Sequence, residues 1–143
     1  MSFLAFVLAM AAADPVSPPS APIAFTTESI AWRDAPPSLP KGAKVAVLEG
    51  DPTKPGLVTM RLKLPQGAEL PLHTHPADER VTVLGGAMKV RVGDVERVLP
   101  AGSFYVTPKG TKHSFAVDED TVIQVTVEGP WSVQLVAAPP RAR

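Results

Sequence analysis

The sequence predicts an all-β domain, a sandwich or small antiparallel β-barrel, on three observations. Seventeen prolines and ten glycines cut its 143 residues into short pieces, and proline, which lacks an amide proton and clashes with the preceding turn, disfavours long helices. The pieces alternate apolar and polar residues, as half-buried strands do. They also recur at about 8 to 12 residues between turn-formers, the spacing of sandwiches and barrels. One domain suffices, since a chain of this size buries roughly 68 to 70% of its unfolded surface.

Residues 1–13, from Met1 to Ala13, form an apolar run that ends in Ala11, Ala12 and Ala13 before Asp14. This small-residue ending reads as a secretory signal peptide, although only the amino terminus supplies positive charge ahead of it. The run is too short to cross a bilayer, which takes about 20 apolar residues. The expectation is therefore a periplasmic or secreted protein with no membrane span in the mature chain. Residues 14–22, rich in proline and serine, read as a flexible spacer. The folded domain is expected over 23–136, with 137–143 a disordered tail.

Within that domain, Ser29 to Trp32 reads as an edge strand whose Trp32 covers one end of the core. Lys44–Leu48 and the alternating Val58, Met60, Leu62 and Leu64 form a hairpin across the turn-rich Glu49–Gly56. Further strands are expected over Arg80–Leu84, Met88–Val92, Val95–Leu99, Ser103–Thr107, Lys112–Val117, Thr121–Val127 and Trp131–Val136, with Gly93 and Asp94 making a compact hairpin turn. Met60, Met88, Phe104, Phe115 and Trp131 read as core.

Composition excludes several functions. Fourteen basic residues balance fourteen acidic ones with no basic cluster, so nucleic acid is not an expected partner. Cysteine is absent, which removes disulfides, thiolate metal sites and cysteine nucleophiles.

The chemistry concentrates in His73, His75, Glu79 and His113, which include every histidine of the chain. Residues two apart on a strand face the same side, so His73 and His75 point together. Glu79 shares that parity, with Pro76 breaking the strand between them, and Val81 and Val83 continue the face as an apolar wall. His113 must be brought opposite by the fold, which a barrel interior does readily because alternate residues of every strand face one cavity. Three imidazoles and a carboxylate suit one divalent transition metal, Fe, Mn, Ni, Cu or Zn, and are too nitrogen-rich for Ca or Mg. A lone histidine is more often a surface or core residue, so the surrounding spacing carries the assignment.

That spacing runs Gly67, five residues, His73-x-His75, three residues, Glu79, six residues, Gly86; then Gly102, five residues, Pro108-x-Gly110, two residues, His113. Here the sequence resembles the cupin superfamily at both of its motifs. The resemblance implies a cupin-like jelly roll in which His73, His75, Glu79 and His113 bind one metal. Val117 stands where the second motif commonly ends in asparagine, a departure that touches no metal ligand.

Other polar residues carry weaker signals. Asp78 reads as a solvated loop carboxylate, Arg61 and Lys63 as the outer face of a strand, and Tyr105 and Gln124 as residues whose placement the pattern leaves open. Four protein ligands on a six-coordinate metal leave two positions for water, dioxygen or a small-molecule ligand. A strictly four-coordinate zinc would be structural. Two functions therefore follow from one ligand set: a metal-dependent, dioxygenase-like enzyme on a small organic substrate, or a non-catalytic binding or sensing module. A homodimer is expected if the apolar strands Val122–Val127 and Val133–Val136 present an outer face that needs cover.

Overall fold

In the computed structural model, residue 19 and residues 21–137 are described. The expected signal segment 1–13, six of the nine residues of the expected spacer and all but the first residue of the expected tail lie outside them. The described chain is all-β apart from one 3-10 turn at Thr27–Ser29. Its strands are β1 (Arg33–Asp34), β2 (Lys44–Glu49), β3 (Gly56–Leu64), β4 (Glu69–Thr74), β5 (Glu79–Gly85), β6 (Ala87–Val92), β7 (Val95–Pro100), β8 (Phe104–Thr107), β9 (His113–Ala116), β10 (Thr121–Gly129) and β11 (Gln134–Leu135). Among the described residues, no helix is long and apolar enough to cross a membrane.

The strands form two antiparallel sheets, one ordered β1-β2-β3-β10-β5-β8 and the other β11-β4-β9-β6-β7. From β3 to β6, and again from β7 to β10, the chain passes between the sheets at every connection. Each passage falls on a turn that breaks the ladder: Pro65 to Gly67, Pro76 to Asp78, Gly85 and Gly86, Pro100 to Gly102, Pro108 to Gly110, and Asp118 to Asp120. Gly86 shows why glycine is needed. It has φ +72°, and a Cβ there would lie 2.5 Å from the Asp120 carbonyl oxygen, so both conformation and space exclude a side chain.

Alternation places the core between the sheets. Val58, Met60, Leu62 and Leu64 of β3 are buried, as are Ile123, Val125 and Val127 of β10 and Val81 and Val83 of β5. Strands β3 and β10 pair along their whole length, from Thr121 opposite Leu64 to Gly129 opposite Gly56. The backbone also joins the two halves of the site-bearing sequence, because Gly67 N donates to Val117 O at 2.9 Å and Val117 N to Ala68 O at 3.0 Å. Val117, in the place of the family's asparagine, is buried and holds that junction with its main chain.

The jelly roll differs from the sequence expectation in four respects. The sheets are not closed into a barrel: β8 ends one and β7 the other, with no ladder between them. Strand β8 has only four residues before Pro108, which has no amide to extend a ladder. Ser29 to Trp32 forms no strand; Ile30 is the buried residue there, and Trp32 lies under the Lys63 ammonium at 4.3 Å. Phe104 is 60% exposed because the parity of β8 turns Tyr105 and Thr107 inward instead. The final strand shrinks to Gln134–Leu135, leaving Trp131 outside any ladder.

Candidate metal centre

Strand β4 delivers His73 directly opposite His113 of β9. His75 follows just past the end of β4, and the Pro76 to Asp78 turn then carries the chain to the facing sheet, where Glu79 is the first residue of β5. The shared parity of His75 and Glu79 thus works across two sheets, not along one strand. All four side chains are buried, with exposures of 1% for His73 and His113, 4% for His75 and 5% for Glu79.

The orientation of each imidazole has a visible cause. His73 Nδ1 lies 2.7 Å from Pro71 O and His113 Nδ1 lies 3.0 Å from Thr111 O, so each ring is fixed by the carbonyl two residues before it. His75 Nδ1 lies 2.8 Å from Ser132 O, in the segment after β10. A carbonyl can only accept, so each Nδ1 carries the proton and each Nε2 is left to face the interior. This is the arrangement in which an imidazole coordinates through Nε2 while its other nitrogen is held by an outer partner.

The nitrogens converge. One ligand atom from each of the three histidines lies within 4.8 Å of the others, and Glu79 Oε2 is 3.3 Å from His75 Nε2 and 3.8 Å from His113 Nε2. Donors at about 2.1 Å from one ion stand about 3.0 to 3.4 Å apart at octahedral or tetrahedral angles. The three histidines could hold a transition metal after drawing closer together, and Glu79 lies beside two of them; imidazole nitrogens and a carboxylate are donors such an ion takes.

Electrostatics prepare the set for a cation. Burial pushes His73 down to about 4, helped by the neighbouring His113 and His75, so it is neutral at physiological pH. Burial alone would raise Glu79, but hydrogen bonds with His113 and His75 and their charges outweigh it and hold the carboxyl at about 2. Burial likewise works against charge on His75, yet its hydrogen bond and attraction to Glu79 leave it raised. Without a metal, the neighbouring Glu79 carboxylate thus favours a proton on His75, against which an incoming cation would compete.

Around the ligands the cavity is apolar and nearly full. Leu62, Leu70, Val81, Met88, Phe115 and Ile123 line a space of about 10 Å³, room for roughly one water molecule. Val81 and Val83 form the inward face expected of them.

Trp131, read from sequence as core, belongs to the site. Its Nε1 donates to Glu79 Oε1 at 3.3 Å, and its ring stacks on His75 at 5.5 Å between centroids. The only sequence signal was its position after Gly129 and Pro130, which end the strand; nothing indicated which way the indole turns. Tyr105 enters the interior, with its hydroxyl 3.7 Å from Met88 Sδ. Gln124 does not; it accepts from Arg61 Nε at 3.0 Å on the outer face, where with Thr126 it makes β10 polar outside. The outer face of that strand is thus mixed, with Val122 beside Gln124 and Thr126. Asp78 is exposed as expected, but it accepts from Lys109 N at 2.9 Å and so ties the first ligand turn to the loop that precedes His113.

Residues 14–134 match a family model described as a domain of unknown function, DUF4437. No curated protein matches the sequence. Among solved structures, the chain is similar to an RmlC-like cupin from Shewanella frigidimarina at 23% identity and TM-score 0.63, covering 76% of this chain and 91% of that one. It is similar to a polyketide cyclase from Streptomyces resistomycificus at 16% identity and TM-score 0.69, covering 82% and 87%. A candidate acetylacetone dioxygenase from Methylibium petroleiphilum gives 16% identity and TM-score 0.66, covering 82% and 83%. At these identities the likeness is one of fold, and the fold is that of the cupins.

Proposed function

The chain belongs to the DUF4437 family, with the cupin fold, and from this premise we propose that it is a metal-dependent enzyme acting on a small organic molecule. One divalent transition metal is held by His73, His75, His113 and Glu79. The observation that carries this reading is that three buried imidazoles are each pinned through Nδ1 to a backbone carbonyl, with Nε2 left facing a buried carboxylate. A buried carboxylate beside three converging imidazoles is a donor set that a divalent cation would complete.

The metal would supply Lewis-acid or oxygen chemistry at positions the protein leaves free. The residues do the rest. Trp131 orients Glu79, the apolar wall excludes water, and the carbonyls of Pro71, Ser132 and Thr111 hold the imidazoles in one tautomer. Dioxygenase chemistry is the version that three histidines and one glutamate suit when the metal is Fe(II). One observation favours a second reading, a structural metal in a non-catalytic ligand-binding module: the free volume beside the ligands is only about 10 Å³.

Elemental analysis of protein purified without added metal, followed by melting with and without chelator, separates the two. Loss of activity on candidate substrates with little change in melting supports the enzyme. A large fall in melting temperature with no turnover in the metal-loaded protein supports the staple, and absence of any bound metal overturns both. Export is proposed on the apolar run ending at Ala13. Recovery of a chain beginning near Asp14 from the periplasm would support it, and a cytoplasmic chain retaining Met1 to Ala13 would refute it.

A further inference from the structure

The open side of the sandwich is a second cavity. Strand β7 closes one sheet and β8 the other, and between them lies a cleft of about 240 Å³ whose lining includes Val90, Val92, Val95, Leu99, Tyr105 and Thr107, together with Arg97 and Thr111. Val95 sits directly opposite Val92, Arg97 opposite Val90 and Leu99 opposite Met88. Opposed residues share a face, and Val90 and Met88 are buried between the sheets, so β7 turns Val95, Arg97 and Leu99 to the inside. Yet Val92 remains 44% exposed and Val95 50% exposed, because the four residues of β8 are too few to cover them. Among the described residues, these valines are inner-face apolar surface left partly uncovered.

The cleft abuts the candidate centre on both sheets. Thr107 pairs with Glu79 and Tyr105 with Val81 across β5 and β8, while Val92 pairs with His113 across β6 and β9. Tyr105 lines both the cleft and the small cavity beside the candidate ligands, so its side chain borders each. Among the described residues its hydroxyl donates only to the Met88 thioether, a weak acceptor. An oxygen acceptor in the cleft would be a better partner for that O–H.

We propose that this cleft binds a small, uncharged, apolar molecule carrying one hydrogen-bond-accepting oxygen, received by the Tyr105 hydroxyl, and that it is the vestibule of the metal centre. The second half rests on the metal reading above; the first does not. The lining is hydrocarbon apart from Thr107, Thr111, the phenol and Arg97, and the Arg97 guanidinium already donates to Glu96 O at 3.1 Å. A neutral ligand with a single polar point matches that inventory.

Acetophenone and its oxygen-free counterpart ethylbenzene are the probes, titrated into isotope-labelled full-length protein, metal-free and Mn²⁺-loaded, with amide resonances as the readout. Acetophenone is expected to move the amides of Val92, Val95 and Thr107 and to bind more tightly than ethylbenzene. Tyr105→Phe keeps the ring and removes the donor, so it should weaken acetophenone by about fivefold to tenfold, the worth of one neutral hydrogen bond, and leave ethylbenzene unchanged. Val95→Trp, which fills the cleft, should abolish both.

Equal affinity for the two probes, indifference to Tyr105→Phe, or shifts confined to another surface would overturn the proposal. Tighter binding of benzoate than of acetophenone would overturn the neutral ligand class and move the polar contact to Arg97. In the Mn²⁺-loaded protein the acetophenone protons should broaden, and bound ketone without broadening would separate cleft from centre. Failure to take up Mn²⁺ or any other divalent ion, with ketone binding intact, would remove the metal reading and leave the cleft.

Discussion

The indole nitrogen of Trp131 donates to Glu79 Oε1 at 3.3 Å, leaving Oε2 of the same carboxylate to face His75 Nε2 at 3.3 Å and His113 Nε2 at 3.8 Å. One oxygen is held from outside and the other is offered to the centre. Because the indole ring also stacks on His75, a single side chain supports two of the four ligands. Trp131→Phe keeps the stacking and removes the donor. Metal affinity is expected to fall by about 10-fold, within the range for losing an outer partner of a ligand, measured by competition with a calibrated chelator.

Glu79 has two possible duties, ligand and counter-charge, and Glu79→Gln distinguishes them. The amide preserves shape and removes the anion. As a ligand, Glu79 should cost about 100-fold or more in metal affinity on substitution, beyond the usual loss for an outer partner, and His75→Ala should cost as much. Metal stoichiometry unchanged in both variants would refute the assigned centre.

Acid should destabilise the metal-free protein in two stages. His73 titrates at about 4 when folded against about 6.5 unfolded, so the unfolded chain binds the extra proton between those values. Its stabilising contribution is complete above pH 6.5 and is lost as pH falls through 4. Glu79, at about 2 when folded against its ordinary value of 4.5, adds a second loss as pH falls below 4.5. His75 has the opposite sign: its raised value contributes stability below the unfolded pKa that fades as pH rises through the folded one. Melting temperature should therefore fall steadily from pH 6.5 downwards and also decline on the alkaline side. Metal affinity should weaken on acidification, since an imidazole must be unprotonated at the binding nitrogen to take a cation. A melting curve flat between pH 6.5 and 4 would contradict the burial effect assigned to His73.

Gly86→Ala tests the crossover that carries β5 into β6. With φ +72° and a Cβ position 2.5 Å from Asp120 O and 2.6 Å from Thr121 Oγ1, the variant must distort the turn or move the facing strand. The expected loss is about 2 kcal/mol or more, read from denaturant unfolding. Gly67→Ala, where a Cβ meets nothing within 4 Å, should lose less, because only its positive φ is strained.

Local rules made most of the ladder legible. Alternation in Val58 to Leu64 and Thr121 to Val127 placed β3 and β10 to within two residues, and Gly93 with Asp94 marked the β6 to β7 turn. Those signals depend on neighbours along the chain. Phe104 was misplaced, and the site contacts of Trp131 were missed, because an aromatic near the end of a strand is apolar enough for the core, while its direction depends on where the ladder stops. Ladder ends follow from pairing with residues far away in sequence.

Four candidate ligands, their spacing and the class of metal they would suit could be named from the sequence alone, because period-two geometry and ligand chemistry are local properties. The tertiary structure decided the remainder. It set His73 opposite His113, took Glu79 to the other sheet, and brought Ser132 O and the Trp131 indole to the ligands from more than fifty residues away. It also left β7 and β8 unjoined, so that inner-face valines meet solvent beside the centre. Closure of a sandwich depends on strand lengths summed over the whole fold, and no local window of residues contains that sum.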